Sequence, residues 1–183
     1  PDSSTCEQAM AIVRKYKLKL SEKAKALLQQ ETPKEITNVE TEITGSVRNL
    51  CEAAREICEK LGYKTIILTD HLDCEAKEAG TFLADIGISH QKSKESIAFL
   101  AGGETVVHLT GKGKGGRNQE LALAAAHGIS GLDNTAVFSI GTDGTDGPTD
   151  AAGGYADGKT ARILEKKGIS IYDTLQENNA YYA

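Results

Sequence analysis

Two glycine-rich segments hold the residues of this chain best suited to chemistry. The first is Gly111-Lys-Gly-Lys-Gly-Gly-Arg-Asn-Gln-Glu120. Its glycines at 111, 113, 115 and 116 let the backbone turn tightly and approach a ligand closely. The helix expected to follow presents unpaired, partly positive N–H groups at its start, which favour an anion. Lys112, Lys114 and Arg117 add three cations, and arginine grips phosphate or carboxylate with two prongs. Gly113, Gly115, Gly116, Asn118 and Glu120 complete the candidate phosphate- or substrate-binding set on this segment. Gly111, Gly113 and Gly116 also satisfy G-x-G-x-x-G, although two lysines intervene. Arg117 after Gly116 fails the Walker A pattern. A solvated hairpin tip is the plain alternative.

The second segment, Gly141-Thr-Asp-Gly-Thr-Asp-Gly-Pro-Thr-Asp150, clusters acids and hydroxyls. It lacks the alternating acids and distal glutamate of a calcium EF-hand. Mg²⁺ takes one or two carboxylates with phosphates and waters, so Asp143 and Asp146 are candidate metal ligands. Equally, these acids can accept hydrogen bonds from substrate hydroxyls, or one can serve as a general base. Thr142 and Thr145 are further candidate substrate contacts. Asx-turns that stabilise an ordinary loop are the competing explanation. Arg117, Asp143 and Asp146 are the residues expected to carry catalysis.

These segments need a frame. Ser4 or Thr5 caps a first helix with Ala9, Ile12, Val13 and Tyr16 at helical spacing, and Ser21 opens a second that Thr32-Pro33 terminates. Asn38 to Thr44 alternates as a half-buried strand. Ser46 caps a third helix with a continuous stripe from Val47 to Leu61, and Gly62 suits its left-handed end. A buried strand over 65–69 ends at Asp70, which can cap a helix or contact ligand, and a helix covers 75–86. Ile97–Leu100 and Val106–Leu109 are expected strands joined by a tight Gly102-Gly103 turn. A helix over 118–127, a strand over 135–140 and a helix over 158–167 complete the reading. The pattern predicts a layered α/β/α fold with a mixed or mostly parallel sheet, in which ligands bind beyond the strands' carboxyl ends.

Composition narrows the partners. The 183 residues are 39% apolar with a net charge of −5. That balance argues against a nucleic-acid or membrane-surface binder, which needs a basic face. No apolar run approaches the ~20 residues that span a bilayer, and the N-terminus has no signal-peptide pattern. Cys6, Cys51, Cys58 and Cys74 form no C-x-x-C, and Cys51 and Cys58 read as one buried helical face in a reducing compartment. The histidines show no metal spacing, and no nucleophile elbow occurs. Both ends read as cut from a longer protein.

Gly102-Gly-Glu-Thr105, the lysine-glycine segment running on to Leu123, and the acidic loop running on to Gly153 together resemble the MOFRL domain of class II glycerate kinases. Upstream, Pro1 to Thr5, Glu31 to Lys34 and the Gly45-Ser46 helix resemble the later part of the domain preceding it. The resemblance implies residues 1–95 as the end of that preceding region and 96–183 as a MOFRL domain truncated at its C-terminus. It implies a kinase that phosphorylates D-glycerate at its 2-hydroxyl with ATP and Mg²⁺, in a cleft between two α/β domains. Arg117 would contact phosphate or the substrate carboxylate, with Asp143 and Asp146 facing the same cleft. The family's N-terminal Rossmann-like domain, with its functional lysine, is outside this sequence, so the fragment alone is expected to be inactive. The family's usual C-terminal strand is missing too. The expected location is cytoplasmic, or mitochondrial in a eukaryote, and the oligomeric state stays open. Two other functions remain: a hydroxypyruvate reductase using NAD(P)H, and a non-catalytic ligand-binding or docking module.

Overall fold

A computed structural model describes residues 2–183. The chain divides into two compact units, one ending at Thr44 and one spanning Gly45–Ala183.

The first unit holds helices α1 (Cys6–Lys15) and α2 (Glu22–Leu28). Thr5 closes a capping box with Gln8, satisfying two N–H groups that a helix start leaves unpaired. Ser21 caps α2 by accepting from the Ala24 N–H at 3.2 Å. The strand expected over 38–44 does not form. Alternation alone cannot hold a strand without a ladder partner, and Ile43 stays 82% exposed.

The second unit opens with helix α3 (Val47–Lys60), capped by Ser46 on Asn49 and ended by Gly62 at φ +90°. Strand β1 (Lys64–Leu72) pairs in parallel with β2 (Ile97–Gly103), from Lys64 opposite Ile97 to Leu72 opposite Gly103. Helix α3 lies close over the pair. A Cβ on Gly102 would sit 2.6 Å from both Cys51 Sγ and Val47 Cγ1. Only Cys51 of the α3 stripe is fully buried, while Leu50, Ile57 and Leu61 remain exposed. All four cysteines are free.

Helix α4 (Ala76–His90) packs against α5 (Arg117–Gly128) through small residues. A Cβ on Gly80 would collide with the Leu121 carbonyl oxygen, so glycine sets the helix separation. Helix α5 is buried from Asn118 to Ala126. Its alanines allow neighbours to approach from several sides, and Ala125, Ala126 and Ile129 join Ala84 and Ala156 in one core cluster. Strand β3 (Ala136–Ile140) runs antiparallel to β4 (Gly153–Asp157), with Phe138 opposite Tyr155. Helices α6 (Thr160–Lys166) and α7 (Ile171–Gln176) follow, and a 3-10 turn over Ala180–Tyr182 comes last.

The α/β class is as expected, built here from one parallel and one antiparallel pair of strands. Val106–Leu109 is no hairpin arm. Past Gly103 the chain keeps its direction: Val106 N–H donates to the Cys74 carbonyl, and Ala76 N–H to that of Val106. Gly103, at φ +152°, crosses so close to Leu72 that no Cβ would fit. Asp70 lies inside β1, 3.7 Å from Arg48, and caps no helix. Strand β4 and helix α7 carry signals too short to stand out. Two glycines open the strand, and the helix has only six residues.

Candidate functional site

The two glycine segments dock onto each other. Gly116 precedes α5 and Arg117 is the helix's first residue. Asp146, from the acidic loop, accepts the Asn118 N–H through Oδ1 at 3.1 Å and the Gln119 N–H through Oδ2 at 2.8 Å. Its Oδ1 also accepts from Asn118 Nδ2 at 3.0 Å. The anion expected at this helix start is therefore supplied by the chain itself. An acid there satisfies both the orphan donors and the helix dipole. Asp146 is 2% exposed, and Gly116 leaves the room it needs, since a Cβ there would collide with the Asp146 carboxylate. Asn118 reaches across the same junction, accepting from Ser139 Oγ at 2.6 Å.

A third segment, which residue types and spacing did not flag, completes the weave. Asn178, 5% exposed, accepts the Thr110 and Gly111 N–H groups through Oδ1 at 2.7 and 2.8 Å. Its Nδ2 donates to the His108 carbonyl and to Glu120 Oε1. The Gly113 N–H donates to the Glu177 carbonyl, and the Lys114 N–H to Asn179 Oδ1. Cβ atoms on Gly111 or Gly113 would strike the Glu177 backbone. These glycines thus serve close chain-to-chain packing. The available signal is the Asn-Asn pair just after a short helix, a residue type that tolerates the left-handed φ of +52° found at Asn178.

Between the segments opens a cleft of about 720 Å³. Of the residues anticipated from sequence, Gly113, Gly115, Gly116, Arg117, Glu120, Asp143, Thr145 and Asp146 line it. Lys112, Lys114, Asn118 and Thr142 do not. Lys114 instead places its ammonium 4.3 Å above the Tyr181 ring, and Tyr181 donates to Asp150 at 2.7 Å. That hydrogen bond holds the Asp150 carboxyl below its ordinary value and raises the Tyr181 phenol. Arg117 Nη1 pairs with Glu104 Oε1 at 2.9 Å, with both side chains partly solvated. Glu104, from the Gly-Gly-Glu-Thr segment, is a cleft residue that sequence alone assigns to a turn. Burial pushes the Glu120 carboxyl up, and the Asn178 hydrogen bond partly opposes that rise. Asp143 is exposed, its Oδ1 accepting from the Thr145 N–H at 3.3 Å.

No three His, Cys, Asp or Glu side chains gather as a metal cluster among the described residues. Asp146 is 2% exposed, and three N–H donors take most of the acceptor capacity of its two oxygens, which favours a capping role over direct metal ligation. Asp143 is open on the cleft side and suits the single carboxylate that Mg²⁺ accepts beside phosphates and waters. Among the described residues, no helix is long and apolar enough to cross a membrane.

Residues 97–183 match the MOFRL family. Along its whole length the chain is 46% identical to the D-glycerate 2-kinase of Thermotoga maritima and 39% identical to a glycerate 2-kinase of Pyrococcus horikoshii. It spans 45% and 44% of those two proteins, so it corresponds to about half of each. The crystal structure of a glycerate kinase from Thermotoga maritima superposes with a TM-score of 0.80, covering 100% of this chain and 45% of that one.

Proposed function

We propose that this chain is the C-terminal part of a glycerate 2-kinase, which transfers the γ-phosphoryl group of ATP to the 2-hydroxyl of D-glycerate and forms 2-phosphoglycerate. The observation that carries the reading is Arg117, rigidly seated at a helix start yet directed into a cleft walled by both glycine segments. In this reading Arg117 exchanges its Glu104 partner for a phosphate or the substrate carboxylate and offsets charge building on the transferring group. Asp143 takes the substrate hydroxyl or would hold Mg²⁺, which would supply positive charge to offset that of the phosphates. Thr145 and the backbone of Gly115 and Gly116 line the same wall. Lys112 and Lys114 act at longer range, by attracting anions to the mouth of the cleft. Asp146 and Asn118 position the helix. The other half of the longer protein supplies the opposite wall, so this part alone does not turn over. A soluble enzyme of the cytoplasm fits the charge and composition.

Arg117→Ala in the intact protein tests this. ATP- and D-glycerate-dependent formation of 2-phosphoglycerate should fall about a hundredfold or more, with the melting temperature little changed. Near-normal turnover would refute the assignment. Oxidation of NAD(P)H by hydroxypyruvate with the same protein would favour the reductase reading instead.

A further inference from the structure

Asn178 is the most heavily committed side chain near the cleft, and its amide is spent entirely on the chain's own groups. Its orientation is fixed by backbone groups whose polarity is unambiguous. Oδ1 faces two N–H donors, those of Thr110 and Gly111, and Nδ2 faces the His108 carbonyl at 3.2 Å. The second hydrogen of that amide then points at Glu120 Oε1, 2.9 Å away. One buried side chain thus joins the chain entering the lysine-glycine loop to the first turn of α5, the turn that carries Arg117. The left-handed backbone at Asn178 aims it there, and the Thr174 carbonyl holds the next residue by accepting the Asn179 N–H at 2.9 Å.

We propose that Asn178 is a positioning residue for the cleft, acting through its Nδ2–Glu120 Oε1 hydrogen bond to set the lysine-glycine loop relative to Arg117. This rests on the kinase reading only for its activity readout. The geometry has its own readout in the amides of Thr110 and Gly111.

The bond has a donor side and an acceptor side, so it can be broken and rebuilt with opposite polarity. Asn178→Asp keeps the acceptor for Thr110 and Gly111 but turns a carboxylate towards Glu120. Two carboxylates at that distance cannot both stay ionised. The other charges acting on Glu120 are Lys77 and Glu75 from the start of α4, and Asp146 from the acidic loop. Glu120→Gln in the same protein returns a donor, now on residue 120, to the carboxylate introduced at position 178, while the His108 carbonyl stays without the donor that Asn178 gave it.

The experiment compares wild type, N178D, E120Q and N178D/E120Q in the intact protein, by hydrogen exchange over residues 108–113 and by glycerate-dependent ATP consumption. At pH 8, N178D should speed exchange of the Thr110 and Gly111 amides about tenfold and lower kcat/KM by a similar factor. Lowering the pH towards about 5 should reverse most of the exchange effect, because one shared proton restores a donor. The double variant should exchange at pH 8 more slowly than N178D, and faster than E120Q because the His108 carbonyl still lacks its donor. Exchange in N178D that matches wild type, or a double variant no slower than N178D, would overturn the proposal. Wild type that fails to consume ATP with glycerate refutes the kinase reading alone, and the exchange result still decides the role of Asn178.

Discussion

Asp146 accepts the Gln119 backbone N–H at 2.8 Å across 27 residues of chain, so the acidic loop is the N-terminal cap of the helix that begins with Arg117. A cap is usually local, one residue before the helix. Here the local position is Gly116, which has no side chain, and the anion arrives from another loop. The arrangement explains why a glycine and an aspartate occur together in two segments that are distant in sequence. It also keeps the helix start, and with it Arg117, in a fixed relation to Asp143.

Removing that cap should cost stability before it costs chemistry. Asp146→Ala leaves two buried backbone donors and the Asn118 amide without partners. The expected loss is about 3 kcal/mol, combining the cap with unsatisfied buried donors. That corresponds to a fall in melting temperature of roughly 5–10 °C for a unit of this size. Calorimetry of the intact protein measures it, and an unchanged Tm would contradict the capping role.

Gly111→Ala separates two explanations of the loop glycines. If they only admit a ligand, the variant binds poorly but melts as wild type does. The Cβ would instead collide with the Glu177 backbone, so the C-terminal segment must shift. Destabilisation of about 1–3 kcal/mol is expected from such overpacking, readable by denaturant titration.

Glu120 gives stability a pH dependence of defined sign. Its folded pKa is raised by burial, so its contribution is fully present below the ordinary glutamate value and is lost as pH rises through the raised one. Glu120→Gln keeps the acceptor for Asn178 and removes the charge. The melting temperatures of variant and wild type should therefore converge near pH ~4, around the ordinary glutamate value. The variant should pull ahead as the pH rises towards about 8. A gap that widens in acid would reverse the assignment.

Tyr181→Phe isolates one surface link. The ring stays beneath Lys114 while the hydroxyl to Asp150 is lost, so the melting temperature should change little at this solvated position. The Asp150 carboxyl, now held below its ordinary value chiefly by that hydroxyl, should titrate higher. Carboxyl-carbon NMR against pH would follow it, and an Asp150 titration identical to wild type would contradict the link.

Much of the frame is legible in the sequence because its causes are local. Thr5, Ser21 and Ser46 each cap within three residues, Gly62 ends α3 within one turn, and the period of apolar side chains locates the helices. The two glycine segments, Arg117 and the acids of the loop are conspicuous for the same reason, since residue type and spacing announce them. The partners of those residues depend on contacts that no short window contains. Alternation over 38–44 misleads because a strand requires a neighbour. The Gly102-Gly103 pair suggests a reversal where the chain in fact runs straight on beside Leu72.

The sequence alone thus determined the longer helices, the α/β class and the presence of charged, glycine-rich segments that resemble the MOFRL domain. Tertiary structure decided what each element of that site faces. It turned Asp146 inward as a cap and left Asp143 open to the cleft. It also brought Asn178 against Gly111 across 67 residues. The physical reason is that caps and periodicity act within a few residues, whereas a carboxylate's role depends on which donors packing brings within about 3 Å.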